Sequence, residues 1–411
     1  MSKNTKNTTV DIDYADQAVP KEGRKGFLTM FMIMLGFTFF SASMWVGQQM
    51  AAGLDFWGFI KSLLLGGAIL GVYTGLLGYV GAKTGLSMDL LAKRAFGEKG
   101  SYLSSAMISF TQIGWFGVGV AMFAIPVSGE LLGGSKAAMW ALVLVAGGCM
   151  TASAYFGIDS LTVVSYIAVP LVAILGTVAM VMAVRQGNGT IVDQFAVSSG
   201  SVTVIGGAGM VVGSFVSGGT ATPNFARFAK DAKSGTIATV VAFFIGNSLM
   251  FFFGAIAYIF VGGNDIFEVM IRLNLFYMAI LVLGLNIWTT NDNALYSAGL
   301  GLANIFRQKK KPMVLISGII GTLLSVWLYY NFCNWLNVLN CTLPPVGIIL
   351  VLSYFINKKE YDSDKVEIKT VNWFDRRCSG SKSCVMGNCF DQWYGSCCGL
   401  LCGWTGALQK S

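Results

Sequence analysis

Asn286, Thr289 and Thr290 stand at i, i+3 and i+4 in the run Gly284-Leu-Asn-Ile-Trp-Thr-Thr-Asn-Asp-Asn-Ala-Leu-Tyr296. On a helix that spacing puts all three on one face. Hydroxyl and carbonyl oxygens without a fixed negative charge suit a weakly held hard cation such as Na+, whereas a tight divalent site would want more carboxylates. Asp292 follows in the same run, and it is the one carboxylate that we place within an apolar segment. An acid in that setting is a functional candidate by default. It could relay protons, neutralise a cation, or cap broken backbone near an interface, a role that the flanking Asn291 and Asn293 also suit.

A second pair lies in Thr111-Gln-Ile-Gly-Trp-Phe-Gly-Val-Gly-Val-Ala-Met-Phe-Ala-Ile-Pro126. Gln112 and Trp115 are three apart and share a helical face. A buried amide beside an aromatic plane suits a flat polar heterocycle: the ring stacks while the amide reads its edge. Packing by Trp115 and an interhelical hydrogen bond from Gln112 is the competing reading, and for these two residues alone it is the stronger.

The stretch Val211-Val-Gly-Ser-Phe-Val-Ser-Gly-Gly-Thr-Ala-Thr-Pro-Asn-Phe225 carries three glycines, a proline and four hydroxyl residues inside an apolar segment. Backbone freed by such breakers is costly against lipid and tolerable where it lines an enclosed cavity. Gly36-Phe-Thr-Phe-Phe-Ser-Ala-Ser43 is a looser counterpart in the first apolar segment. Each opens a run of about five spans. An interrupted helix that offers half-helix ends and loose carbonyls to a solute near the midplane is a transporter device. Close small-residue packing is the alternative.

The elements that must position these residues are transmembrane helices. The 411-residue chain is 55% hydrophobic and only 12% charged, against about 25% charged in soluble domains. Apolar runs of about twenty residues fall near 27–48, 57–80, 103–128, 137–157, 161–184, 203–223, 235–262, 275–298, 313–331 and 342–356. The polar start, residues 1–25, precedes a first run long enough to span and without a small-residue cleavage site, so no cleavable signal is expected. Twenty of the 28 Lys and Arg flank the spans on one side, against four on the other. The positive-inside rule then makes 1–25 a cytoplasmic N-terminal arm of a multi-pass inner-membrane protein. The transport domain is expected over 26–357 and a cytoplasmic basic segment over 358–373. Ten spans split into two fives, and an odd number per half makes any internal repeat inverted.

Histidine is absent, which removes the commonest general base near neutral pH and the commonest metal ligand. Six of the nine cysteines crowd into 374–411 without a paired C-x-x-C spacing. That tail lacks any apolar period and reads as aberrant sequence, such as a reading-frame shift leaves. The net charge of +8 is spread over short loops, so nucleic acid is not an expected partner. An integral membrane enzyme would need a convergent acid, base or metal cluster, and the spans offer no such cluster.

Four blocks closely resemble the nucleobase–cation symporter family, in particular its cytosine-transporting members: Gly36-Phe-Thr-Phe-Phe-Ser-Ala-Ser-Met-Trp45, Leu76-Leu-Gly-Tyr-Val-Gly-Ala-Lys-Thr-Gly85, Gln112-Ile-Gly-Trp-Phe-Gly-Val-Gly-Val-Ala-Met-Phe-Ala-Ile-Pro126 and Asn286-Ile-Trp-Thr-Thr-Asn-Asp-Asn-Ala-Leu-Tyr296. The likeness runs from about Arg24 to Trp373. It implies an all-α LeuT-type fold of five-plus-five inverted helices with helices 1 and 6 broken, followed by two peripheral helices. Here the Cys-rich tail stands where helices 11 and 12 would be, so those are expected to be absent or replaced. By position, the family's aromatic sandwich falls on Trp115 and Phe215. Its base-reading polar groups fall on Gln112, Ser214 and Ser217, with main-chain contacts near Phe40 and Gly218. Its sodium site falls on Gly36, Phe39, Asn286, Thr289 and Thr290.

The expectation is therefore a cation-coupled importer of cytosine, with Na+ as coupling ion and no other cofactor, held in the lipid bilayer without an obligate protein partner. A permease for another nucleobase or a hydantoin-like compound, or H+ coupling through Asp292, is the runner-up. A frame-shifted, non-functional copy is the third reading.

Overall fold

A long apolar run in a bilayer must bond its backbone within itself, and helix is the form that does so segment by segment. The computed structural model describes residues 13–187, 189–195, 200–262 and 266–361, and these are almost entirely helical. In chain order the helices are α1 (Phe27–Thr38), α2 (Ser41–Gly53), α3 (Phe56–Thr84), α4 (Met88–Leu132), α5 (Lys136–Phe156), α6 (Ile158–Gln186), α7 (Ile191–Phe195), α8 (Val204–Thr220), α9 (Pro223–Ala226), α10 (Ala232–Val241), α11 (Asn247–Ile256), α12 (Ile266–Arg272), α13 (Phe276–Phe306), α14 (Lys310–Tyr330), α15 (Phe332–Ile356) and α16 (Lys358–Tyr361). Two π-helical turns, Ala242–Gly246 and Ala257–Val261, continue α10 and α11 into one 30-residue span. Among the described residues six helices are long and apolar enough to cross a membrane singly, and the bent pair α1–α2 makes a seventh. The shorter α8, the polar-faced α13 and α15 fill the remaining positions of the ten expected from the sequence.

Helix ends follow local chemistry. Asp55, Ser87, Ser135, Thr203 and Asp231 cap α3, α4, α5, α8 and α10 by accepting a backbone N–H in the first turn, which satisfies one of the orphan donors there. The two interruptions differ in kind. Between α1 and α2 the chain extends over Phe39 and Phe40 and turns by 55°. In the sixth span the glycines at 213, 218 and 219 stay helical, and the break comes at Ala221–Thr222, just ahead of Pro223. Proline lacks the N–H that would continue the ladder, whereas glycine flanked by packed neighbours keeps it. The sequence-based break over 211–225 is thus narrowed to its C-terminal end.

α13 is the axis of the bundle. It packs along α4, α14, α6 and α5 and also reaches α1, and from Asn286 to Asn304 every residue but the half-buried Trp288 is buried. α2 crosses α11 at backbone contact: a methyl on Gly254 would run into the Met44 carbonyl, and one on Gly47 into that of Phe251. Small residues permit this approach in membrane helices.

Residues 13–25 lie against the bundle. Asp13 is buried, forms an ion pair with Lys310 and accepts the Ile158 N–H at 3.1 Å. The buried Arg227 donates to the carbonyls of Tyr14 (2.7 Å), Asp13 (2.6 Å) and Asn224 (3.1 Å) and to the Tyr296 hydroxyl (3.0 Å). The arm expected to be merely polar is therefore clamped to α6, α9, α13 and α14 at one end of the bundle. Residues 1–12, the basic segment beyond Tyr361 and the Cys-rich tail 374–411 lie outside the described residues.

Candidate functional site

Helix α1 ends by unwinding, so carbonyls that would have been consumed by the next turn become available. Thr290 on α13 faces them. Its hydroxyl lies 3.5, 3.3 and 3.1 Å from the carbonyl oxygens of Gly36, Phe37 and Phe39. Gly36 is close enough to Thr289 that a methyl on it would sit 3.4 Å from the Thr289 Cβ. The geometry brings together Gly36, Phe39, Thr289 and Thr290, four of the residues on which the resemblance placed the sodium site, and it adds the carbonyl of Phe37. In this arrangement Thr289 donates to the carbonyls of Leu285 (3.3 Å) and Asn286 (3.1 Å). Asn286 accepts from Ser41 Oγ at 2.7 Å. Ser41, at the first turn of α2, is a neighbour that sequence reasoning missed. A hydroxyl directly after an aromatic pair carries no signal of its own. Carbonyls, hydroxyls and an amide oxygen, with no carboxylate among them, form a hard, uncharged donor set that fits a monovalent cation.

Beyond the break the chain presents the ring of Phe40, which meets Trp115 edge to face at 5.4 Å and 73°. Trp115 donates its Nε1–H to Ser217 Oγ at 2.9 Å, joining α4 to α8. Phe215, nearly two turns before the α8 break, packs edge to face on Phe37 at 5.3 Å. Gly218 lies between them, because a methyl there would sit 2.8 Å from the Phe215 ring and 2.9 Å from the Phe37 ring. These residues share one small cavity with Gln112, Ser214, Thr290 and Ala294. Gln112 is 1% exposed, and its Nε2 has no hydrogen-bond partner. A buried amide donor left unsatisfied in an aromatic cavity is the kind of group a polar heterocycle would satisfy. Ser214 turns its hydroxyl back to the Val211 carbonyl at 2.8 Å, so here it offers the cavity an acceptor rather than a donor. The enclosed space is about 10 Å³, room for roughly one water molecule. The Phe40, Trp115 and Phe215 rings must part before any heterocycle can enter.

Asp292 does not line that cavity. It is buried on the side of α13 that faces α5, where Ser153 Oγ donates to Oδ1 at 2.5 Å and itself accepts from Trp288 Nε1 at 2.8 Å. Its second oxygen has no partner. It is also not the sole buried acid of the helices. Asp89, which the sequence puts in the second–third loop, is 3% exposed in the first turn of α4. No group of three or more His, Cys, Asp or Glu able to hold a metal occurs among the described residues.

Residues 18–372 match the family described as permease for cytosine/purines, uracil, thiamine and allantoin. The chain is 47% identical over 364 residues to the cytosine permease of Escherichia coli strain K12, covering 88% of this chain and 86% of that protein. It is 23% identical over 348 residues to a hydantoin permease of Microbacterium maritypicum, covering 76% of this chain and 69% of that one. Among solved structures it is similar to Mhp1, a nucleobase-cation-symport-1 family transporter, in a closed conformation with bromovinylhydantoin bound. That match has a TM-score of 0.66 at 19% identity and covers 84% of this chain and 81% of that one. A Na+-coupled sialic acid symporter in a substrate-bound outward-open state also matches with a TM-score of 0.66, at 14% identity, covering 85% and 82%. At such identities the structural matches speak for the fold alone, which is the LeuT-type transporter fold. The chain belongs to the cytosine/purine permease family and is a multi-pass membrane transporter, not an enzyme.

Proposed function

We propose that this protein imports cytosine across the inner membrane, N-terminus cytoplasmic, by alternating access coupled to the entry of Na+. The observation that carries the reading is the two-sided use of the α1–α2 break. Carbonyls on its α1 side, at Gly36, Phe37 and Phe39, converge with Thr290. The next residue, Phe40, closes the aromatic cavity against Trp115. A cation held by the carbonyls fixes the break, and a fixed break places Phe40 for the base. Each ligand then binds better with the other present, a reciprocal linkage.

In the loaded state the pyrimidine ring lies between Trp115 and Phe215, and the Gln112 amide reads its edge beside Ser217 and the main chain near Gly218. Reorientation moves the helix pairs that carry the breaks against the rest of the bundle, as in transporters built from inverted repeats. The E. coli relative's name supports cytosine as the solute. H+ coupling through Asp292 is the second reading, favoured by its buried, unpartnered Oδ2. The test is uptake of radiolabelled cytosine in cells lacking their own permease, with Na+ present or replaced by choline. Saturable uptake that falls on Na+ replacement is expected. Uptake indifferent to Na+ but steep in pH favours the Asp292 reading, and no uptake above the empty-vector control refutes both.

A further inference from the structure

Near the end of the bundle clamped by the N-terminal arm, α4 and α13 enclose a second polar cluster, apart from the residues so far given a role in transport. Asp89 and Ser105 are 16 residues apart, which on a straight helix separates them by about 24 Å. Gly97, at φ 75° and ψ 175°, breaks α4 and folds its first segment back. Ser105 Oγ consequently donates to Asp89 Oδ1 at 2.5 Å. Only glycine adopts that backbone without strain.

Asn304 on α13 completes the cluster. Its Nδ2 lies 2.8 Å from Ser105 Oγ and 3.1 Å from Ser101 Oγ. Both serine protons are already committed, that of Ser105 to Asp89 and that of Ser101 to the Glu98 carbonyl at 2.7 Å. The serines can therefore only accept from Asn304, which fixes the amide orientation with NH2 toward them. Two acceptors are left without a donor: Oδ2 of Asp89 and Oδ1 of Asn304, on residues 3% and 8% exposed.

No ion pair among the described residues includes Asp89. The basic groups around it have other partners or act at longer range. Arg227 is bonded to three carbonyls and to Tyr296, Lys310 to Asp13, and Arg307 to Glu98. Arg227 and, more weakly, Lys93 on its own helix act on Asp89 through their fields alone. A buried carboxylate with one hydrogen bond and no ion pair is costly, and a positive partner offsets that cost. One carboxylate, one amide oxygen and neighbouring hydroxyls carry a single negative charge on hard oxygens, which matches a monovalent cation and not a divalent one.

We propose that Asp89 and Asn304, bridged by Ser105, form a second monovalent-cation site, taking Na+ or H+. Asn304 is 14 residues along α13 from Thr290, about 21 Å, so this site is distinct from the one at the α1 break. It is a station for a cation crossing toward the end of the bundle that carries the N-terminal arm.

The test is thermal melting of the purified full-length protein against NaCl, with choline chloride as control, and against pH. The variants are Thr290→Val, Asp89→Asn, their combination, and Asn304→Leu in the Thr290→Val background. Thr290→Val is expected to keep a cation response that the double variant lacks. A response to Na+ at constant pH identifies Na+ as the occupant; a response to acid alone, with uptake of one proton, identifies H+. Asn304→Leu should move the midpoint several-fold, to higher Na+ concentration or to lower pH, while leaving the carboxylate in place. Identical responses in Thr290→Val and the double variant overturn the proposal, as does a midpoint unmoved by Asn304→Leu. Failure of the α1-break site shows separately, as a wild type and a Thr290→Val variant with the same Na+ response.

Discussion

Replacing Trp115 by Phe keeps an aromatic plane in the cavity wall and removes one hydrogen bond, the 2.9 Å contact from Nε1 to Ser217 Oγ. That contact ties α4 to α8, and both partners are buried. A neutral hydrogen bond is worth about 0.5–1.5 kcal/mol net, so cytosine should bind about 2- to 12-fold more weakly to Trp115→Phe, at about 1.4 kcal/mol per tenfold. Trp115→Ala also removes the stacking surface, which at about 1–3 kcal/mol per base weakens binding about 5- to 140-fold. Ser217→Ala supplies the other corner of a double-mutant cycle. If the bond orients the ring for the base, Trp115→Phe and Ser217→Ala share one effect, and their coupling is about 0.5–1.5 kcal/mol. The assay is titration calorimetry of cytosine on purified variants in saturating Na+. Strict additivity of the two substitutions, or a Trp115→Ala dissociation constant within about twofold of wild type, below the stacking scale, would refute the reasoning.

Gln112→Leu removes the buried, unpartnered Nε2 and should cut the preference for cytosine over uracil by about tenfold or more, since edge hydrogen bonds set discrimination; competition binding with both bases measures it. Asp13→Asn leaves the Lys310 ammonium 4.4 Å over the Tyr296 ring without its carboxylate. Breaking a buried pair costs about 3–5 kcal/mol, so the melting temperature should drop, and Asp13→Asn with Lys310→Met should recover most of it. A single variant as stable as wild type contradicts that assignment. Gly254→Ala pushes a methyl against the Met44 backbone and should cost about 1–3 kcal/mol, read as a lower melting temperature in detergent.

The six long apolar helices and the bent α1–α2 pair among the described residues were legible because a span needs some twenty apolar residues, a signal that survives without knowledge of packing. So was the face shared by Asn286, Thr289 and Thr290, because helical spacing is local. What the sequence hid depends on backbone bends. The break in the sixth span was spread over 211–225, but glycine count does not locate a break, whereas the missing N–H of Pro223 does. Asp89 falls between the second and third apolar runs, and nothing in the sequence says that Gly97 takes a positive φ and turns the carboxylate inward. Asp13 read as part of a polar arm, since its partner Lys310 lies 297 residues away. The Phe37 carbonyl has no side-chain signature, and its role emerges only once α1 unwinds against Thr290. Asp292 stands out in the sequence as an acid within a span, and it is buried, but periodicity could not say that it faces Ser153 on α5 rather than the cavity.

The coupling of base to cation through the α1–α2 break is tested most directly by cytosine affinity with and without Na+ in the wild type and in Thr290→Val. The substitution keeps the side-chain shape and removes the hydroxyl that faces the carbonyls of Gly36, Phe37 and Phe39. The expected result is a wild-type affinity that rises with Na+ and a variant that has lost most of that rise while its Na+-free affinity is little changed. A variant whose affinity rises with Na+ as steeply as the wild type's would contradict the assignment of the cation to this site.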